Sequence, residues 1–114
     1  MNMLVVQVKT RAGTRVLSVP VTRVQQIVGY DENAATAYSS WPGLDMAPEA
    51  PRWLLALQDA SSDAVRPVWE IEFLHDVNSQ SLHPVPEILK GWARRLRVTG
   101  FLQTGTRLVP IVEG

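Results

Sequence analysis

The sequence predicts a mainly β fold, a β-rich α+β domain built as a small β-barrel or curled antiparallel sheet with two short helices. Three observations predict it. Near the end of the chain, two short apolar runs at 98–102 and 108–112 flank Gln103-Thr104-Gly105-Thr106, whose glycine supplies the positive φ a tight hairpin needs. Between 65 and 73, Val65, Pro67, Trp69, Ile71 and Phe73 alternate with Arg66, Val68, Glu70 and Glu72, the two-faced pattern of an antiparallel strand with one wet side. Strand-like and helix-like stretches also fail to alternate along the chain, which argues against a parallel doubly wound sheet.

Taken in order, Leu4, Val6 and Val8 alternate with Val5 and Gln7, predicting a half-buried first strand. A charged turn containing Gly13 follows, and residues 16–19 return as a second strand that Pro20 stops. Thr22-Arg23-Val24-Gln25 matches a capping box, in which hydroxyl and amide each satisfy a free backbone N–H at a helix start. With Val24, Ile27 and Val28 on one face and Gly29 as a cap, this predicts a first helix of about two turns, too short to persist unless it packs. Residues 30–51 show no period and carry Pro42-Gly43, Pro48 and Pro51, so a long irregular loop is expected.

Trp53-Leu54-Leu55-Ala56-Leu57 reads as a buried strand and 59–63 as a polar turn. After the alternating strand and a loop at 75–81, Pro86 stands in the first turn of a second helix, where its missing N–H costs nothing. Val85, Ile88, Leu89, Trp92 and Leu96 make that helix's apolar stripe, although Gly91 costs it about 1 kcal/mol against alanine. Arg94, Arg95 and Arg97 suit the negative end of its dipole. With the closing hairpin, the 114 residues are expected as one domain.

Lys and Arg number 11, as do Asp and Glu, so the chain lacks the cationic surplus that a nucleic-acid partner requires. The absence of cysteine removes disulfides, thiolate chemistry and cysteine-rich zinc sites, and it suits a reducing compartment. No segment is long and apolar enough to cross a bilayer, and Met3-Leu4-Val5-Val6 lacks the basic lead of a signal peptide. A cytoplasmic location is expected.

Catalytic signatures are missing: there is no phosphate-binding Gly-rich loop, no nucleophile elbow and no dinucleotide fingerprint. No catalytic, cofactor or metal residue is therefore assigned. His75 and Asp76 with His83 form the one cluster suited to zinc, iron or proton transfer, but eight residues of loop separate the histidines, and loop-edge histidines are the simpler reading. Glu70 and Glu72 share the polar face of a strand, roughly 6–7 Å apart, as paired acids in glycoside chemistry are. Solvated alternation is the simpler reading, since nothing nearby suggests a sugar cleft.

Among four tryptophans, Trp53, Trp69 and Trp92 fall in periodic segments and are expected in the core. Trp41 lies in the loop with no evident face to pack against; exposed, it would anchor a partner protein, with Leu44 and the terminal strand's Leu108 as further apolar surface. Arg94, Arg95 and Arg97, with Arg107 across the last hairpin, either meet an acidic partner or form a solvated helix end.

Pro84-Val85-Pro86-Glu87-Ile88-Leu89-Lys90-Gly91, then Val98-Thr99-Gly100-Phe101, then Gly105-Thr106-Arg107-Leu108-Val109-Pro110-Ile111-Val112 resemble the close of the CheW-type chemotaxis coupling family. There, a Pro-rich lead-in and a short helix precede a Gly-containing strand, a turn and a strand of the form L-V-P-I-L. Val16-Leu17-Ser18-Val19-Pro20-Val21-Thr22-Arg23-Val24 resembles its strand-to-helix passage, and 50–57 with Arg66-Pro67-Val68-Trp69 its middle strands. The chain is shorter than a full coupling protein, with a deletion of middle strands after Phe73, and Asp59-Ala60-Ser61-Ser62-Asp63 stands where Asn-Leu-Arg-Gly is usual.

The resemblance implies an SH3-like barrel without catalysis or cofactor, an adaptor that binds a chemoreceptor or a histidine kinase through apolar strand and loop surface. A barrel left alone by the deletion is open to pairing with a second copy. The alternatives are an unrelated small protein-binding or partner-inhibiting module, and a metal-dependent enzyme using His75, Asp76 and His83.

Overall fold

Alternation at the start of the chain produces the strands it predicts. In β1 (Met3–Thr10), Leu4, Val6, Val8 and Thr10 are buried while Gln7 is exposed. Strand β2 (Gly13–Pro20) folds back on it antiparallel, from Met3↔Pro20 to Thr10↔Gly13. The structure, a computed structural model, describes residues 1–34, 37–58 and 64–112, so the polar turn expected at 59–63 lies outside the described residues.

The expected first helix is a strand. Val21–Arg23 make one 3-10 turn without a side-chain cap, and the chain runs on as β3 (Val24–Gly29), antiparallel to β4 (Trp53–Leu57). The reason is physical: Val24, Ile27 and Val28 are β-branched, two helical turns cannot sustain themselves, and β4 supplies the ladder that local propensity does not foresee. Between β3 and β4, the described residues contain a single isolated bridge, Thr10↔Met46. Backbone bonds from Arg11 to Asp45, Ala47 to Lys9 and Ser39 to Val65 tie this segment to the sheets.

The single strand expected at 65–73 is two strands in different sheets. β5 (Ala64–Val68) pairs with β4 and completes a three-stranded sheet of order β3-β4-β5. β6 (Glu70–Leu74) pairs with β1. Trp69, buried at the crossing, donates its backbone N–H to the Gln7 carbonyl at 2.9 Å. Pro67 is tolerated because β5 is an edge strand.

A 3-10 turn at Ser79–Ser81, capped by the Asn78 side chain, leads to β7 (Leu82–His83). A further 3-10 turn, Glu87–Leu89, opens directly into α1 (Lys90–Leu96), the one α-helix among the described residues. Arg97 ends it in the left-handed conformation, φ 55°, with its N–H on the carbonyls of Ala93 and Arg94.

The closing hairpin forms as predicted: β8 (Val98–Thr104) and β9 (Arg107–Val112) meet around Gly105, φ +63°. β9 then lies parallel to β2, giving a six-stranded sheet of order β6-β1-β2-β9-β8-β7. That seam holds one ladder pair, Ser18↔Ile111. Pro110 explains the brevity, since its ring nitrogen has no proton for β2, and the buried Ser18 hydroxyl instead donates to the Pro110 carbonyl at 3.0 Å.

Both sheets are open, and the architecture is mainly β, in keeping with the SH3-like class. Its core joins Leu4, Val6 and Val8 of β1 to Leu55 and Leu57 of β4, Val68 of β5 and Phe101 of β8. A second cluster, Met3, Leu102, Val109 and Ile111, covers the other face of the larger sheet.

Candidate functional site

A helix of seven residues cannot hide a five-residue stripe, and α1 does not. Only Ala93 of this helix is buried, with Leu96 half-buried beside the core. Ile88, Leu89 and Trp92 of the expected stripe face outward, Ile88 with 91 % of its surface exposed. The Trp92 ring stacks on Phe101, centroids 6.1 Å apart and planes 2° from parallel, so it stands as a fixed ridge and not a loose side chain.

Two grooves flank this ridge. The first, about 540 Å³, lies over the β8–β9 hairpin and is lined by the apolar Pro84, Pro86, Leu89, Phe101 and Leu108 together with His83, Gln103 and Thr106. Leu108 is 59 % exposed, as befits an apolar residue on the outer face of β9. The second, about 390 Å³, is lined by Val16 and Leu17 of β2, Pro110 of β9, Trp92, Arg95 and Leu96 of α1, and Leu44. Leu44 is held there by Trp41-Pro42-Gly43-Leu44, a turn closed by the Leu44 N–H on the Trp41 carbonyl at 3.1 Å. Proline at its second position and Gly43 at φ +72° make it type II. A side chain at Gly43 would also strike Leu96, so the turn can sit on α1 only with glycine there.

Of the sequence-predicted partner residues, Leu108 lies in the first groove, and Leu44 and Arg95 meet in the second. Arg94 is exposed on α1 beside them. Arg107 lines a third cleft, with Glu70 and Glu72. Trp41 is a correction: it is 1 % exposed, and its Nε1 donates to the Pro67 carbonyl at 2.7 Å. The type II turn swings it into the core, a signal the Pro-Gly pair carried in the sequence. Trp53 and Trp92, expected in the core, are 38 % and 36 % exposed. Ile88, Leu89, Trp92 and Arg15 are the surface residues the sequence reading missed.

The polar clusters do not assemble. His75 Nε2 lies 3.2 Å from its neighbour Asp76, whereas His83 Nε2 pairs with Gln103 Oε1 at 2.9 Å. Among the described residues no three His, Asp or Glu side chains gather as a ligand set, so the metal reading on His75, Asp76 and His83 has no geometry behind it. Glu70 is bound by Arg52 at 2.8 Å, which leaves Glu72 without a paired free acid on that face.

Comparison with solved structures places this geometry. The crystal structure of the scaffolding protein TtCheW from Thermoanaerobacter tengcongensis matches with a TM-score of 0.62, covering 100 % of this chain and 90 % of that one. The chain has a CheW-like fold. Sequence identity is 10 %, so the likeness is one of backbone course and not of surface residues. It extends over the whole chain, where the sequence motifs touch separate stretches. No family model matches the chain, and no curated protein does. No helix among the described residues is long and apolar enough to cross a membrane.

Proposed function

We propose that the chain is a non-enzymatic adaptor in chemotaxis-type signalling, working in the cytoplasm and binding a chemoreceptor or a histidine kinase through the apolar surface around Trp92. One observation carries this reading. Ile88, Leu89, Trp92 and Leu108 are exposed apolar side chains, Leu89 and Leu108 lining one groove with the Phe101 on which Trp92 stacks, on a fold shared with a scaffolding protein, and exposed apolar surface of this kind marks interaction sites. Aromatic anchors held rigid, as Trp92 is by Phe101, are the usual centres of binding energy. The order of the family-like motifs supports the same partner class.

The test uses purified receptor cytoplasmic fragment and histidine kinase in co-sedimentation with this protein. Wild type is retained by one of them, and Leu108→Glu and Trp92→Ala weaken retention by about tenfold or more, in the range of hot-spot truncations. Both side chains are substantially exposed, so circular dichroism of the variants stays native. Failure of wild type to associate with either partner sinks the reading. Sedimentation velocity on the same samples reports whether this surface pairs two copies.

A further inference from the structure

We propose that the second groove, between α1, β2 and the turn at Leu44, receives an acidic apolar segment of the partner as a short amphipathic helix. This rests on the docking reading above and names the chemistry of what docks.

The groove's floor is apolar: Val16 and Leu17 from β2, Val98 from β8 and Pro110 from β9. Among the described residues its charged side chains are Arg15 and Arg95, one contributed by the sheet and one by the last turn of α1. Neither takes part in an ion pair among the described residues, and the same is true of Arg94. Elsewhere several cations are matched, Lys9 to Glu49, Arg52 to Glu70 and Lys90 to Glu87. Asp45, the acid of the adjoining cleft, turns to Arg11 at 3.4 Å. A chain of zero formal charge thus leaves uncompensated positive charge beside an apolar trough. Complementary charge on a partner is what such a rim selects.

Geometry narrows the occupant further. β2 and β9 are interior strands whose seam is pinned at Ser18↔Ile111, and beside the groove Pro110 offers no N–H, so an added strand finds little ladder to extend there. A helix laying apolar residues into the trough, with carboxylates reaching both rims, uses what is present. A small molecule would need fixed polar groups at the base to orient it, and the floor has no polar side chain.

A fluorescein-labelled designed peptide of about three helical turns, with leucines along one face and glutamates flanking them, is the probe. Anisotropy titrations compare it with its Glu→Lys counterpart and with unlabelled polyglutamate as competitor. The acidic amphipathic peptide binds, the lysine counterpart binds about tenfold or more weakly, and polyglutamate competes poorly because it has no apolar face. Arg15→Glu with Arg95→Glu weakens the acidic peptide by about tenfold or more and inverts the preference between the two peptides. Ile27→Ser, on β3 of the smaller sheet and in neither groove, leaves its affinity within about twofold.

Equal binding of both peptides, equal competition by polyglutamate, or an unchanged affinity in the arginine double variant overturns the assignment. Native circular dichroism and retained receptor or kinase binding in that variant, alongside an unchanged peptide affinity, overturn this groove alone. Loss of receptor and kinase binding in wild type, with the peptide still discriminated by charge, leaves the groove's chemistry supported and removes only the partner class.

Discussion

Trp41 and Trp69 are both buried, and their indole nitrogens meet opposite fates. Trp41 Nε1 donates to the Pro67 carbonyl at 2.7 Å, whereas Trp69 Nε1 is enclosed without a protein acceptor among the described residues. Replacing each by phenylalanine removes similar apolar area but not the same bond. Trp41→Phe leaves the Pro67 carbonyl without its donor, at a cost of about 1–3 kcal/mol beyond the lost area, while Trp69→Phe removes a donor that has no acceptor among the described residues. Urea unfolding followed by circular dichroism checks this: the Trp41 variant loses its midpoint to a clearly greater extent than the Trp69 variant. Composition made the tryptophans conspicuous but could not rank their burial. Periodicity put Trp53 and Trp92 inside, yet Trp53 begins its strand opposite Gly29, which presents no side chain to cover it, and Trp92 sits on a helix too short to turn it inward.

Gly100 shows what single elements ask of the sequence. It lies in β8 next to an irregularity in the β8–β9 register, and a Cβ built there would stand 2.7 Å from the His83 carbonyl oxygen of β7. Gly100→Ala therefore pushes β7 off the sheet edge, loosening the Leu82↔Leu102 and His83↔Phe101 pairs, for about 1–3 kcal/mol of overpacking. Hydrogen exchange of the β7–β8 amides rises well before that of β1 and β2, and an unchanged pattern would disprove the contact. The closing hairpin was legible because Gly105 and its flanking apolar runs are local signals. The β3 strand was not, because the partner that makes it a strand, β4, is distant in sequence. The break between β5 and β6 was equally hidden: the chain changes sheets at Trp69, and the one departure from alternation there, the apolar Val68 between Pro67 and Trp69, does not by itself signal a break, so the pattern reads as one strand. Of the site, Leu108, Leu44 and Arg95 were legible as surface candidates. The Trp92 ridge was not, since a stripe on paper does not say how much of itself a seven-residue helix can bury.

At the scale of the molecule, the question is whether the six-stranded and three-stranded sheets act as one unit. The radius of gyration, 13.8 Å, compares with about 13 Å for a single folded domain of this length, so the sheets are packed and not merely tethered. Their contact is apolar and continuous: Leu55, Leu57 and Val68 of the smaller sheet share a core with Leu4, Val6, Val8 and Phe101 of the larger one. Trp41 adds a polar tie from the connecting segment to β5, and Trp69 passes directly between the sheets. Neither sheet can release its inner face without exposing the other's, so unfolding is expected to be one cooperative step, with tryptophan fluorescence and far-ultraviolet circular dichroism tracing the same transition. Leu55→Ala makes the test sharp. Leu55 is fully buried in the smaller sheet, and its truncation is expected to cost about 2–5 kcal/mol. In a single unit that loss moves both signals together to a lower midpoint. If the smaller sheet unfolded on its own, the variant would split the curve, lowering an early step while the larger sheet's transition stayed in place, and the shared core would then not be what joins them.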